Sequence, residues 1–253
     1  MLHALWRGRW YWLLGFFAFL ITLVVTAPLH FLWPYVQPQL PPLPVKIQQV
    51  SGTLWDGQAQ LTQRQVGQLD VNWQLSPWSL LTGVANLNLA VTGNGVRLQG
   101  QAQANVRQQL TLSYIQGYLD ANVMSQELRR NQVSLVGNFE LSQFNARFDG
   151  QARQLLEATG QLVFSGGPAS FLVNRKTVNV EMPMLVAQIS RPTEQAEVNI
   201  ATVDGEAIGQ AFLQNDGWGG VALRRRFLDI VEQPWPGEST PDTIIFEVSQ
   251  KVL

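Results

Sequence analysis

Residues 86–104 read NLNLAVTGNGVRLQGQAQA. Apolar and polar side chains alternate on each side of Gly93-Asn94-Gly95, which is the pattern of two half-buried strands joined by a tight turn. Side chains at every second position of a strand share one face, so one face of this hairpin is apolar and the other is rich in Gln and Asn. The stretch therefore predicts an antiparallel sheet with two chemically different faces.

The same alternation recurs along most of the chain after residue 46. Turn signals at residues 166–168, 204–205 and 215–217 separate the alternating runs. We predict a mainly β fold, in which a long, curved, mostly antiparallel sheet is a meander that is half-closed or grooved and carries a few short helices. The alternating apolar positions are Leu69, Val71, Trp73, Leu75, Leu87, Leu89, Val91, Val96, Leu98, Val133, Leu135, Phe139, Leu141, Val178, Val180, Val198, Ile200, Ile244, Phe246 and Val248.

Helical signals are few. Residues 76–83 contain a serine cap, a proline in the first turn and a terminal glycine, and residues 119–130 and 221–231 are two further candidates. Three short helices do not cover a sheet of about ten strands, so its apolar face must curl, close on itself or present a groove.

The N-terminal segment predicts one membrane span. Residues 10–29 read WYWLLGFFAFLITLVVTAPL and contain no charge. A helix that crosses a bilayer core of ~30 Å needs about 20 apolar residues, so the length fits a transmembrane helix. Arg7 and Arg9 precede the segment, and Lys46 is the first charge after it. The positive-inside rule then places residues 1–9 in the cytoplasm and the rest of the chain across the membrane.

A cleaved signal peptide with its site at residues 25–27 is the competing interpretation. Two features favour an uncleaved anchor: the apolar run is longer than the roughly 7–15 residues of a usual signal-peptide core, and Pro28 would follow the cut. A buried core helix is the third interpretation, and the absence of a polar face argues against it.

Proline defines the next segment. Residues 30–45 contain five prolines, at positions 34, 38, 41, 42 and 44. Proline cannot continue a helix and stiffens extended chain, so we predict a semi-rigid spacer that precedes a periplasmic β domain at residues 46–253.

The composition excludes several functional classes. Charged residues make up 14% of the chain against a typical value of about 25%, and 17 Lys and Arg against 18 Asp and Glu give a net charge of −1. A nucleic-acid-binding protein would carry a basic excess. The chain has no cysteine, and its two histidines are His3 and His30, so thiolate metal sites and histidine-based catalysis after residue 30 are excluded. We predict a non-catalytic protein without a cofactor.

Two segments form the most specific motif. Residues 50–59 read VSGTLWDGQA, and residues 71–83 read VNWQLSPWSLLTG. The glycines are predicted to serve backbone geometry. The tryptophans either pack the sheet or anchor a partner, and the packing interpretation is favoured for Trp73 and Trp78. The motif residues are Gly52, Leu54, Trp55, Gly57, Trp73, Leu75 and Pro77.

Arg224, Arg225 and Arg226 form the strongest basic cluster after the predicted span. They are a possible interaction site for lipid phosphates or an acidic partner, because basic groups near a membrane are attracted to anionic surfaces. The alternative, which the helical spacing favours, is a solvated helix face.

In combination, the short start, the single span, the spacer and the two motif segments resemble protein N of the type II secretion system. Residues 227–231, FLDIV, followed by Gln233 and Pro234, also resemble the end of that family. The resemblance covers essentially the whole chain. It implies a single-pass inner-membrane accessory component of the machine that moves folded periplasmic proteins across the outer membrane. It also implies other secretion-system subunits as partners and no catalytic residues.

Two functions remain open at this point. The first is assembly or stabilisation of the secretion machinery, with an exposed sheet edge that recruits a partner strand. The alternative follows from a second resemblance, to AsmA-type envelope proteins, and is a periplasmic carrier or binder of lipid or another hydrophobic ligand. A groove lined by residues such as Leu87, Leu135 and Val180 would favour the carrier, and a filled interior would favour the scaffold.

Overall fold

The computed structural model describes residues 14–19, 22, 26, 28–29, 46–63, 66–130, 132–152, 154–173, 176–191, 195–235 and 237–251. In the N-terminal part, residues 14–19 have helical backbone, and the Thr22 hydroxyl donates to the Ala18 carbonyl over 2.8 Å. None of the helices in these ranges has the length and hydropathy that a bilayer crossing requires. The predicted cytoplasmic start and the predicted spacer lie outside the described residues.

From residue 46 onward, the described residues form mostly strands, with three short α-helices and one 3-10 helix. The helices are α1 (Pro77–Leu80), the 3-10 helix (Ala121–Met124), α2 (Ser125–Arg130) and α3 (Arg225–Ile230). The strands are β1 (Lys46–Gly52), β2 (Asp56–Gln63), β3 (Gly67–Leu75), β4 (Val84–Gly93), β5 (Val96–Asn105), β6 (Gln109–Asp120), β7 (Val133–Leu135), β8 (Asn138–Asp149), β9 (Gln154–Phe164), β10 (Gly167–Val173), β11 (Lys176–Met182), β12 (Leu185–Ser190), β13 (Gln195–Thr202), β14 (Ala207–Gln214), β15 (Trp218–Arg224) and β16 (Ile244–Lys251).

Thirteen of these strands form one continuous antiparallel sheet. Their order is β1-β2-β3-β4-β5-β6-β8-β9-β12-β13-β14-β15-β16, so almost every strand lies beside its neighbour in sequence. Within the described part of the chain, β1 and β16 are the two edges. The prediction of a mainly β fold with a long antiparallel sheet and few helices is confirmed.

The register produces the predicted division into two faces. Directly opposed residues of antiparallel strands point to the same face. Val71 of β3 lies opposite Val91 of β4, which lies opposite Leu98 of β5. At the far end, Leu223 of β15 lies opposite Phe246 of β16. Apolar rows of this kind run from β2 to β16, so the whole sheet has one apolar face.

A second, three-stranded sheet corrects one prediction. Residues 133–142 alternate as if they were one strand, but β7 and β8 belong to different sheets. The chain breaks at Gly137, whose φ of +143° interrupts the regular extended conformation. Similar breaks at residues 165–166 and 183–184 separate β9 from β10 and β11 from β12. The strands β7, β10 and β11 of the second sheet therefore lie next to one another in the same order as β8, β9 and β12 of the large sheet. We call the three breaks that separate the two sets of strands the line of breaks.

The predicted helix at residues 221–231 is also corrected. β15 extends through Arg224, and only Arg225–Ile230 is helical. Val221 and Leu223 lie opposite Val248 and Phe246 of β16. Pairing with this neighbouring strand therefore determines the conformation of residues 221–224, although their apolar residues also have helical spacing.

Among the described residues the buried core is small, because they place no second layer over most of the apolar face of the sheet. Most apolar side chains on that face are half-buried. The Phe139 and Phe164 rings pack at the line of breaks, with their centroids 5.1 Å apart. The buried apolar residues in the described ranges are Leu29, Leu69, Ala121, Ala158, Phe164, Ala169, Ala187, Ile208, Ala222 and Val231.

Candidate functional site

The first part of the motif forms a tight loop between β1 and β2. The Thr53 amide donates to the Asp56 carbonyl over 2.8 Å, and the Asp56 amide donates to the Thr53 hydroxyl over 3.1 Å. Gly52 has a φ of +84°, and a Cβ there would lie 2.5 Å from the Asp56 carbonyl oxygen. Only glycine fits this position without strain, because both the backbone conformation and the space exclude a side chain.

The second part of the motif closes over this loop. The Trp73 indole lies against Gly57, where a Cβ would overlap the ring. Its Nε1 donates to the Leu54 carbonyl over 3.2 Å, and the Leu75 amide donates to the Trp55 carbonyl over 2.7 Å. The two segments, which residues 60–70 separate in the sequence, therefore form one structural unit at one end of β1, β2 and β3.

The last motif residues begin a short helix. Pro77 is the first residue of α1, where its missing N–H costs no hydrogen bond. Trp78 follows it and is 77% exposed. The prediction that Trp78 packs the sheet is therefore wrong, whereas Trp73 is half-buried against the loop.

An exposed apolar tip surrounds this unit, and the sequence patterns did not indicate it. Leu81 is 80% exposed after α1, and Val106 is 84% exposed in the β5–β6 loop at the same end of the sheet. Together with Leu54 and Trp78 they form what we call the apolar tip. Its signal in the sequence is only the presence of apolar residues in turns, where polar residues are usual. Pro28 forms a β-bridge with Thr53, so this part of the N-terminal segment lies beside the tip.

An apolar cavity opens on the same half of the sheet. Its volume is about 420 Å³, within the range of small-molecule sites. It includes Leu87, but Leu135 and Val180 lie on the second sheet, so the structure does not bring the three predicted groove residues together. The lining residues are Leu54, Trp73, Leu75, Ala85, Leu87, Leu89, Ala102, Ala104 and Leu110.

The opposite face of the same strands is polar and almost uncharged. A depression of about 470 Å³ lies over β3 to β6 and is lined largely by amide side chains, with Asp56 at its border. Exposed amides donate and accept hydrogen bonds without attracting ions. The amide-bearing residues are Asn72, Gln74, Asn88, Gln99, Gln101 and Gln116.

The arginine cluster is engaged within the protein. The Arg226 guanidinium donates to the Asp242 carboxylate over 3.0 Å and lies 3.6 Å from the Glu206 carboxylate. Arg225 pairs with Asp229 over 3.3 Å, and Arg224 donates to the Asp242 carbonyl. Arg225 and Arg226 are therefore largely covered instead of forming the solvated helix face that the sequence favoured. In the described ranges, no three His, Cys, Asp or Glu side chains are grouped so that they could hold a metal ion.

The fold and these surfaces define an open, single-layered β protein that offers faces and edges for binding. The model of the protein family described as type II secretion system (T2SS), protein N, matches residues 44–219, which is more than half of the chain. The chain therefore belongs to the family of protein N of the type II secretion system, and the predicted resemblance is confirmed. Membership makes it a component of that secretion system and implies other subunits as partners. Neither the curated proteins nor the solved structures gave a match.

Proposed function

We propose that this protein is a non-catalytic inner-membrane accessory component that assembles or stabilises the type II secretion machinery. In this proposal one helix crosses the membrane, residues 1–9 are cytoplasmic, and the β domain is periplasmic. The side chains of Leu14, Phe16, Phe17 and Phe19 support the anchor, because they are all exposed on helical backbone and would otherwise face water.

The observation that carries the assembly function is the apolar face of the thirteen-stranded sheet. An antiparallel sheet can leave one face in water, but its apolar face needs a cover. In the described part of the chain, the second sheet and the short helices leave much of this face half-buried. Contiguous exposed apolar surface marks an interaction site, and family membership indicates secretion subunits as the partners.

The carrier function is the second candidate, and the apolar cavity supports it. All of the cavity's lining side chains are apolar, apart from the indole nitrogen of Trp73. That nitrogen already donates to Leu54, so the wall offers an acyl chain a surface without unsatisfied donors. A hydrophobic ligand in this cavity would cover the same residues that a protein partner would cover.

One in-cell experiment tests the two functions. A photocrosslinking residue at Leu87 reports on the apolar face, and the same residue at the neighbouring Asn88 reports on the polar face as the matched control. We expect position 87 to capture a secretion-system subunit much more strongly than position 88. Capture of phospholipid alone at position 87 would replace the assembly function by the carrier function. Equal capture at both positions would contradict a role for the apolar face.

A further inference from the structure

A β-bulge places an aromatic ring on the polar face of the sheet. The register of β5 against β6 shifts between residues 99 and 101, so that Tyr114 and Ile115 together stand opposite Gly100. Ile115 takes the apolar face, where a Cβ at position 100 would lie 2.3 Å from its Cδ1. Tyr114 instead lines the polar depression over β3 to β6. Bulges next to functional sites re-aim single side chains in this way.

The backbone of Tyr114 has a conformation that bulky residues avoid. Its φ is +53°, in the left-handed region. Asn145 of β8 holds it there: its Oδ1 accepts from the Tyr114 amide over 3.0 Å, and its Nδ2 donates to the Gln143 carbonyl over 2.8 Å. The Tyr114 side chain is nevertheless 71% exposed, so this conformation brings little packing. Backbone strain without a gain in packing is typical of a functional position.

Exposed amide groups surround the Tyr114 ring. They form two rows across the strands β3 to β6, with Gln74, Asn88 and Gln101 in one row and Asn72, Gln99 and Gln116 in the other. All six are exposed, and none of their side chains has a hydrogen-bond partner among the described residues. Each amide therefore offers a donor and an acceptor to a ligand. Neighbouring strands are about 4.8 Å apart, so the first row repeats at a spacing close to the length of one sugar unit in a linear chain.

The charge of this face indicates the class of ligand. No Lys or Arg is among the residues that line the depression, and Asp56 at its border is the one charged residue there. A polyanion would need cationic groups, and an apolar ligand would leave the amides unpaired. An extended peptide pairs with the edge of a sheet instead of its face. A sugar chain fits both features, because its hydroxyl groups pair with amides and its C–H groups pack on the negative face of an aromatic ring.

We propose that this polar face binds an uncharged glycan chain, with the Tyr114 ring packed on one sugar and the amide rows paired with hydroxyl groups. A second depression of about 320 Å³ adjoins the first over β1 to β4, and the two share Asn72. Six strands span about 24 Å, which accommodates several sugars. The glycan site goes beyond the assembly function. Only its source, the glycan strand of the cell wall, rests on the periplasmic location proposed above.

Titration calorimetry tests the aromatic contact, with the detergent-solubilised full-length chain and the β-1,4-linked hexamer of N-acetylglucosamine as the probe. We expect saturable binding. Tyr114→Asn removes the ring and tolerates the left-handed backbone, so the affinity should fall about tenfold. Tyr114→Phe keeps the ring and should bind within about twofold of the unchanged chain. Absence of binding to the unchanged chain, or full binding by Tyr114→Asn, would overturn the proposal.

Two glutamines of β5 provide a matched pair for the amide contacts. Gln101 lines the depression, whereas Gln103 is also exposed on the same face but lies outside the lining. Both substitutions are on the surface and should leave the fold intact. We expect Gln101→Ala to weaken binding of the hexamer about fivefold and Gln103→Ala to leave it unchanged. Equal effects of the two substitutions would contradict the assigned site.

Further probes test the class of ligand and its source. A heparin hexasaccharide and an uncharged hexapeptide of glycine and serine should both bind more weakly than the hexamer. Tighter binding of either would overturn the assignment to an uncharged glycan. An alkaline phosphatase fusion after residue 45 reports the location of the β domain separately. Binding of the hexamer by a chain whose fusion is inactive would support the glycan site and contradict both the cell-wall source and the periplasmic location.

Discussion

At the scale of single residues, the loop after β1 shows how three glycine and tryptophan positions depend on one another. Gly52 turns the chain, Gly57 leaves space for the Trp73 ring, and the ring nitrogen binds the Leu54 carbonyl. The Trp73–Leu54 contact needs Gly57, because the ring reaches Leu54 only where position 57 has no side chain. The motif therefore holds the loop of the first hairpin in place through the packing of Trp73 on Gly57 and its hydrogen bond to Leu54.

This dependence predicts coupled effects on stability. Gly57→Ala introduces a methyl group into the space of the Trp73 ring, so we expect the free energy of unfolding to fall by about 1–3 kcal/mol. In a Trp73→Ala background the ring is gone, but the added Cβ still lies 2.7 Å from the Thr53 carbonyl oxygen, so the same substitution should cost less without becoming neutral. Denaturant unfolding of the four chains measures the coupling. Gln58→Ala, at an exposed neighbouring position, is the control and should change stability by less than about 0.5 kcal/mol. If the losses of stability from Gly57→Ala and Trp73→Ala were strictly additive, the packing of the Trp73 ring on Gly57 would be contradicted.

At the scale of elements, the arginine cluster joins segments that are far apart in sequence. Arg226 in α3 contacts Glu206 and the Ala207 carbonyl at the β13–β14 turn, and Asp242 just before β16. These contacts hold α3 against the last strands of the sheet. The cluster at residues 224–226 is thus a clamp for the β14–β16 end, and its use as a partner site remains a prediction.

The clamp predicts a difference between two helical arginines. Arg226→Met removes three contacts of a side chain that is 20% exposed, so we expect the unfolding free energy to fall by about 1–2 kcal/mol. The two carboxylates are more than half exposed and regain water, which limits the loss. Arg129→Met in α2 removes an exposed contact to Ser125 and should cost less than about 0.5 kcal/mol. Equal losses in thermal unfolding would argue against the clamp.

At the scale of the whole molecule, one end of the sheet is marked by the apolar tip. The apolar tip, with Leu54, Trp78, Leu81 and Val106, lies at the end where Pro28 of the N-terminal segment forms a β-bridge with Thr53. Tryptophan and aliphatic side chains are favoured at a bilayer interface. If the helix is the membrane anchor, as we propose, this end of the sheet faces the bilayer.

The orientation predicts two different environments for a spin label. Leu81→Cys lies in the apolar tip, and Val203→Cys lies in a turn at the opposite end and is also well exposed. The full-length chain is reconstituted in phospholipid vesicles. We expect the label at position 81 to be more accessible to oxygen, which concentrates in lipid, than to a water-soluble nickel chelate. We expect the label at position 203 to be more accessible to the nickel chelate than to oxygen. The same accessibility ratio at both positions would show that the tip does not touch the bilayer.

Several features of the molecule were predictable because they are local. Alternation of apolar and polar residues fixes which side chains share a face, and turn residues fix where strands end, so β3, β4 and β5 were predicted close to their observed positions. The pairing of neighbours followed, because short turns leave antiparallel hairpins as the simplest arrangement. The family motif was also recognisable before the geometry that explains it.

Other features were decided only by contacts between distant residues. Neighbouring strands determine where β7 separates from β8 and where β15 ends at Arg224. The alternation of apolar and polar residues would be the same if β7 and β8 were one strand, so it could not predict the division. Trp73 covers Gly57 while Trp78 remains exposed, although both belong to one motif. The sequence by itself determined a sheet with an apolar face, since period-two burial is a property of single strands. Only the tertiary structure determined its breaks and its clamp, since these arise where segments far apart in the chain meet.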